Sequence, residues 1–236
     1  MPIVTVPLLR VSPATPRSLL LTLQFSNHSA PFLAGQAVVV GRHGQERRRP
    51  YSIACSPEQA AEGTLELLVG VDSAGSPGEH LDPVAPGVSL DVEGPLGSFT
   101  FPESIDHARV LFIAGGAGIA PIRAMLDHAR RAHSDTHLAL LYSARRSDEF
   151  AFIDELRDLQ DAGHLELHQT VTRDDMDWGG NRGRIGQSHF EAALHDPTST
   201  LCFVCGPAAM VSESVATLGR LGVPGASIRT ENWVRR

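Results

Sequence analysis

One change in the spacing of apolar residues, near residue 105, splits this chain into two stretches that call for different architectures. Before it, short β-prone runs at 19–25, 37–40, 64–71 and 88–92 are separated by Gly, Pro and Ser clusters. That pattern predicts a small antiparallel barrel or sandwich. Pro83, Pro86 and Gly87 punctuate the last crossing before Gly94-Pro95-Leu96-Gly97. After it, strand-like runs at 110–114, 138–142, 165–171 and 201–204 alternate with helical stretches near 121–132, 149–159, 187–194 and 208–221. Alternation of this kind predicts a parallel sheet with helices on both faces. The expected organisation is a two-domain chain, an antiparallel β-barrel over 1–104 and an α/β parallel-sheet domain over 105–236, with the junction near 103–107. At 236 residues, each half is long enough to bury a core of its own.

Charge and cysteine usage narrow the function classes. The net charge of -7 argues against a nucleic-acid partner, which would want a basic face. Arg47-Arg48-Arg49 and Arg145-Arg146 are local basic clusters suited to a phosphate-bearing small molecule. Three cysteines, Cys55, Cys202 and Cys205, make no secreted disulfide framework. No run of about 18 apolar residues could span a membrane, and residues 1–17 show no signal-peptide pattern. The expected location is the cytoplasm. Cys202-Phe203-Val204-Cys205 spells Cys-x-x-Cys, but no second ligand pair stands at metal spacing, so no metal is expected.

Three short segments carry the chemistry. Arg49-Pro50-Tyr51-Ser52-Ile53-Ala54 sets a guanidinium fork, an aromatic face and a hydroxyl within four consecutive residues. Gly115-Gly116-Ala117-Gly118-Ile119-Ala120-Pro121 is a glycine-rich turn between an apolar run and a helix. Such a turn lets the backbone approach a pyrophosphate, and the helix amino terminus favours its charge. Pro121 suits the first helical turn, although the segment is not the Gly-x-Gly-x-x-Gly fingerprint. Cys205-Gly206-Pro207-Ala208-Ala209-Met210 follows the run 201–204, which puts the thiol at the carboxyl end of the sheet, where open α/β folds bind ligands. In this order and at these separations, the three segments resemble the ferredoxin–NADP reductase family over nearly the whole chain.

The resemblance implies an enzyme that passes hydride from NAD(P)H to bound FAD. It places Tyr51 against the isoalloxazine, the Ser52 hydroxyl at flavin N5 and Arg49 on a phosphate, with Pro50 and Ile53 completing the motif. Gly75 to Leu81 stands where family members carry Gly-x-x-Ser/Thr-x-x-Leu at a helix amino terminus that holds the flavin pyrophosphate. Here Gly78 takes the hydroxyl position. Gly78, Glu79 and His80 are expected to offer backbone amides, with one side-chain hydrogen bond of about 1–2 kcal/mol missing. The His80 side chain reads as an exposed turn residue, contact with the cofactor being the other reading. The Gly94–Phe99 turn resembles the FAD branch and favours FAD over FMN. In the second domain, Gly115, Gly116, Gly118, Ile119 and Pro121 would cradle the nucleotide. Cys205, with Gly206, Pro207 and Met210, would lie beside the nicotinamide C4 and align it rather than attack it. The ending, residues 230–236, resembles the family's acidic–aromatic terminus. Glu231 is then a polar group at the reaction centre and Trp233 a cover over the ring, a frayed tail with a packed Trp being the alternative.

A ribose 2′-hydroxyl is usually held by a carboxylate after the second strand of such a domain, a 2′-phosphate by arginine. Arg145 stands there, Arg173 follows the next strand, and Arg182 and Arg184 could add to the pocket, so NADPH is favoured over NADH. Three scattered cysteines cannot supply an iron–sulfur cluster's four ligands. Electrons are therefore expected to leave to a separate acceptor: a ferredoxin, a flavodoxin or an oxygenase component. Two alternatives stay open, a reductase of free flavin, quinone or ferric chelate, and a non-catalytic flavin- or nucleotide-binding regulatory subunit.

Overall fold

The computed structural model describes residues 3–25, 31–133, 135–173 and 175–233. They fall into two compact units, one running to Phe101 and including Arg123–His128, the other made of Pro102–Ile122 and Ala129 onward.

The first unit is built from β1 (Ile3–Thr15), β2 (Ser18–Gln24), β3 (Ala37–Arg42), β4 (Arg49–Ser52), a single helical turn α1 (Pro57–Ala60), β5 (Thr64–Gly70) and β6 (Ser89–Leu96). Its strands pair antiparallel in the order β4-β3-β6-β1-β2-β5. The two edges meet through an antiparallel bridge between Ile53 and Leu67, which closes the sheet into a barrel. Closure removes exposed edges. Inward-facing Leu21, Leu23, Val38, Val40, Leu65, Leu67, Leu90 and Val92 fill it. β1, which pairs with β6 through its first half and with β2 through its second, was not foreseen. Pro7 and Pro13 interrupt its β signal, and a proline within a run ordinarily demotes it. Also unforeseen is α1, whose Ser56 cap and Gln59 form a reciprocal capping box. A buried polar network lies in the same unit. Arg123 donates to Glu66 at 2.7 Å and to the Ala54 carbonyl at 2.8 Å, while the Ser56 hydroxyl donates to Asp127 at 2.6 Å.

The second unit carries β7 (Arg109–Gly115), α2 (Ile119–Ala132), β8 (His137–Ala144), α3 (Ile153–Asp161), β9 (Glu166–Val171), β10 (Asn181–Arg182), α4 (Gln187–Ala193), β11 (Thr200–Pro207), α5 (Ala208–Arg220) and β12 (Ile228–Trp233); the middle of α2 is counted with the first unit. All six strands are parallel, in the order β10-β9-β8-β7-β11-β12. β7, β8 and β11 are buried along nearly their whole length, as strands covered on both faces must be. Leu111, Ile113, Leu141, Phe190, Val204, Val211 and Leu218 form one of the covering cores. The chain moves outward from β7 through β8, β9 and β10, then returns to β11 on the other side of β7. The order of the sheet therefore reverses between β7 and β11, and the crevice at their carboxyl ends is where open α/β sheets bind ligands. Against the alternative of a frayed tail, residues 228–233 form β12, an edge strand parallel to β11.

Candidate active site

In the first unit, β4 lies against β3, with Arg49 opposite Val40, Tyr51 opposite Val38 and Ser52 opposite Ala37. Arg49 and Pro50 are exposed, Tyr51 is half-buried with its ring packed on the barrel core, and Ser52 and Ile53 are buried. Arg49 and Tyr51, two apart on a strand, project to the same side. Burial pushes the Tyr51 phenol up to about 12, partly offset by the Arg49 charge. The strand thus presents a cation and a protonated phenol together.

Two expectations about residues 75–81 are corrected. The segment is a turn with no helix. Its backbone closes through Leu81 N–H and Asp82 N–H, both donating to the Gly78 carbonyl at 3.0 and 3.1 Å. Gly78 has φ +102°, a region that a serine or threonine enters only with strain. The conformation of the turn therefore selects glycine. The nearby hydroxyl belongs to Ser76, which accepts from Gly78 N–H at 2.9 Å and donates to Asp82. His80, expected to be exposed, is 1% exposed, and its Nε2 lies 2.6 Å from the Tyr51 hydroxyl. Glu79 is exposed and ion-paired with Arg47. No signal in the sequence announced the His80–Tyr51 pair, because the two positions stand 29 apart in the chain and a lone turn histidine is ordinarily solvated.

In the second unit, Gly115 ends β7 and Gly116–Gly118 form one 3-10 turn leading into α2, with Ile119 and Pro121 buried in its first turn. A Cβ on Gly118 would lie 2.3 Å from the Cys205 carbonyl oxygen, so β11 passes the turn at a distance only glycine permits. The Met210 sulfur would stand 2.5 Å from a Cβ on Gly115, and the Met210 methyl carbon 2.6 Å from one on Gly206. The glycine-rich segment and the Cys205–Met210 segment are thus one assembly at the switch point. Cys205 is fully buried, and its thiol lies 3.8 Å from a Glu231 carboxylate oxygen, the two residues being register partners on β11 and β12. The sequence marked both residues but not their contact. Pro207 is exposed at the end of β11, while the side chain of Trp233 lies outside the described residues. Cys202 faces the core containing Leu111 and Val204, and burial pushes its thiol up to about 12. Three places along a strand put Cys202 and Cys205 on opposite faces, which removes the Cys-x-x-Cys reading.

The arginines separate into two kinds. Arg145 and Arg173 follow β8 and β9, and Arg173 N–H donates to the Arg145 carbonyl at 3.0 Å, so the two residues neighbour each other at the carboxyl edge. Arg182 instead binds the Asp175 and Trp178 carbonyls and ties its own loop. Arg146 pairs with Asp148 at 3.5 Å, and Arg184 lies 4.0 Å from Glu213. A cavity of about 440 Å³ lined by Arg109, Arg130, His137 and Glu166 opens at the amino ends of the strands. It lies at the opposite edge from the switch point and takes no part in this site.

A family model described as oxidoreductase FAD-binding domain matches residues 9–101, and one described as oxidoreductase NAD-binding domain matches 112–215. Ferredoxin–NADP reductase B of Sorangium cellulosum is 34% identical over 213 residues, which cover 86% of this chain and 85% of that protein. The chain belongs to the ferredoxin–NADP reductase family. It is a flavin-dependent NAD(P)H oxidoreductase with FAD- and pyridine-nucleotide-binding domains. One component of the Escherichia coli 1,2-phenylacetyl-CoA epoxidase is 29% identical over 202 residues, covering 80% of this chain and 55% of that protein. Among solved structures, a Neisseria gonorrhoeae ferredoxin NADP+ reductase with bound FAD and NADP superposes with TM-score 0.81 at 23% identity, covering 98% of each chain. The Amycolatopsis cytochrome P450 reductase GcoB superposes with TM-score 0.84 at 23% identity, covering 98% of this chain and 70% of its own. Likeness at that identity speaks for the shared fold. No helix among the described residues is long and apolar enough to cross a membrane.

The residues of this reductase fit both groups. A Cβ on Gly116 would meet nothing within 4 Å, so the turn leaves open space where a pyrophosphate would approach the backbone. On β4, an exposed guanidinium and a half-buried aromatic ring share one side, as a phosphate-bearing planar cofactor requires.

Proposed function

We propose that this reductase takes electrons from NADPH and delivers them to a separate electron-carrying protein, the oxygenase component of a multi-component system or the ferredoxin or flavodoxin that serves one. When bound, FAD supplies the chemistry, accepting a hydride equivalent from the reduced nicotinamide and releasing electrons singly or in pairs. The protein's share is placement and electrostatics. Arg49 pairs with a cofactor phosphate, Tyr51 offers its face to the flavin ring, Ser52 offers a hydroxyl to the flavin N5, and the turn at Gly78, Glu79 and His80 offers backbone. Gly115, Gly116 and Gly118 admit the dinucleotide pyrophosphate to the backbone, while Ile119 and Pro121 set the start of α2. Arg145 and Arg173 hold the 2′-phosphate. The Cys205 thiol, flanked by Gly206, Pro207 and Met210, packs beside the nicotinamide C4, with the Glu231 carboxylate as its polar neighbour and Trp233 as a cover.

The observation that carries this reading is the 3.8 Å pairing of Cys205 with Glu231 at the switch point. It joins a soft, compact side chain to a carboxylate at the edge where α/β sheets bind nucleotides. Support for the acceptor class comes from a relative named as a subunit of an epoxidase and a solved structure named as the ferredoxin reductase in carbazole 1,9a-dioxygenase. The test is an anaerobic absorbance titration of the FAD-loaded protein with NADPH and with NADH. Bleaching of the oxidised flavin band by NADPH at lower concentration than NADH is the expected result. A flavin band that neither nucleotide changes would refute the proposed reaction, and equal or better reduction by NADH would remove the preference.

A further inference from the structure

The imidazole of His80 is buried with its two nitrogens in unequal company. Nε2 lies 2.6 Å from the Tyr51 hydroxyl, with the two ring planes 11° apart and their centroids 5.9 Å apart. Burial keeps the Tyr51 phenol protonated, and among the described residues its hydroxyl meets no acceptor besides this nitrogen, so we assign the phenol as donor and Nε2 as acceptor. Nδ1 then carries the ring proton, and among the described residues it meets no partner. Burial first and the Arg49 charge second lower the histidine's pKa, against the opposing pull of Asp82, and so favour the neutral ring. A buried N–H without an acceptor works against stability, and a phenyl ring of similar shape would fill the position without that loss. The imidazole is therefore not explained by packing, and what distinguishes it is its hold on Tyr51. The backbone that carries it is itself fixed, since Arg42 N–H donates to the His80 carbonyl at 2.8 Å and the Arg42 guanidinium donates to the Asp82 carbonyl at 2.7 Å.

We propose that His80 is a positioning residue for the flavin: by accepting the Tyr51 hydroxyl proton at Nε2, it fixes the Tyr51 ring in the orientation that receives the isoalloxazine. The inference rests on the reading of β4 as the flavin-binding strand. Tyr51 is half-buried at the margin of the barrel core, so core packing leaves part of the side chain uncovered. An acceptor mounted on a fixed turn supplies the remaining restraint, and a ring ordered before the cofactor arrives reduces the entropy lost on binding.

The test compares FAD affinity of the apoprotein, the visible circular dichroism of the bound flavin and the apoprotein's melting temperature in wild type, H80F, H80Q, Y51F, the double variant Y51F/H80F and R49A. H80F and Y51F should each weaken FAD binding by about tenfold, the scale of one lost hydrogen bond. The double variant should be no weaker than either single, because both remove the same bond. Glutamine offers an amide acceptor at the reach of Nε2, so H80Q should return affinity to within about threefold of wild type and restore the flavin dichroism that H80F alters. H80F apoprotein should melt at or above the wild-type temperature. Wild-type affinity and dichroism in H80F, additive losses in the double variant, or an H80F protein that is destabilised or fails to fold would each overturn the proposal. R49A separates this proposal from the reading beneath it. If R49A loses FAD and H80F does not, only the role of His80 fails; if R49A and Y51F both bind FAD as wild type does, the assignment of β4 to the flavin fails as well.

Discussion

In the barrel, the residues of β4 proposed for the cofactor would act through side chains: an exposed guanidinium, a phenol and a buried hydroxyl, each placed by the pairing of β4 with β3. In the parallel sheet, four of the proposed positions are glycines, which would act through missing side chains. Gly118 and Gly206 bring backbone close to backbone where the strand order reverses, Met210 packs against Gly115 and Gly206, and Gly116 opens onto free space. The contrast shows two ways of making a face for a phosphate-bearing ligand. A side-chain face should lose individual hydrogen bonds when substituted while its fold persists. A backbone face should lose its geometry when a single carbon is added.

The largest test of that contrast is G118A. Its Cβ would stand 2.3 Å from the Cys205 carbonyl oxygen and 2.9 Å from the Gly206 nitrogen, both backbone atoms that cannot swing aside. The expected cost is about 3 kcal/mol, the upper range for overpacking, read as a marked fall in melting temperature with loss of nucleotide binding. A G118A protein of wild-type stability would break the idea of a backbone-built face. Next is C205A, which should lower kcat by roughly tenfold to a hundredfold, the scale of misplacing a reacting pair. Steady-state kinetics checks it, and an unchanged kcat would take the thiol out of the reaction.

R173A and R145A should each raise the KM for NADPH by about tenfold, near 1.4 kcal/mol, and leave the KM for NADH within error. Equal effects on both nucleotides would show that these arginines do not read the 2′-phosphate. The smallest effect is expected at Glu166, at the amino edge of the same sheet. Burial pushes its carboxyl up, but hydrogen bonds from Arg109 and His168 outweigh that and hold it at about 2. A folded value below the ordinary 4.5 means the stabilisation is complete above about pH 5 and fades as pH falls toward 2. Because the side chain is 37% exposed, screening limits the contribution to about 1 kcal/mol. E166Q should therefore unfold more easily at pH 7, converge with wild type in acid and keep its KM for NADPH. A pH-independent loss would place the effect in packing.

The periodicities on either side of residue 105 announced a barrel and a parallel sheet because local apolar spacing reports which faces are buried, and burial of faces is what separates the two architectures. β1 and β12 escaped that reading for local reasons. Prolines masked the first, and nothing in residues 228–233 distinguishes an edge strand from a tail until β11 is in place to pair with it. The glycine-rich and Cys-Gly-Pro segments were legible as strand–helix junctions, because glycine there permits close backbone approach, as at Gly118 against Cys205.

By itself the sequence determined the two architectures and the order of the segments that carry the family resemblance, since each follows from short-range spacing. Only the tertiary structure decided that the sheet reverses between β7 and β11, that Cys205 meets Glu231 and that a turn histidine is buried against Tyr51. Each of these joins residues at least 26 positions apart, and local propensity carries no information about which distant backbone will arrive alongside.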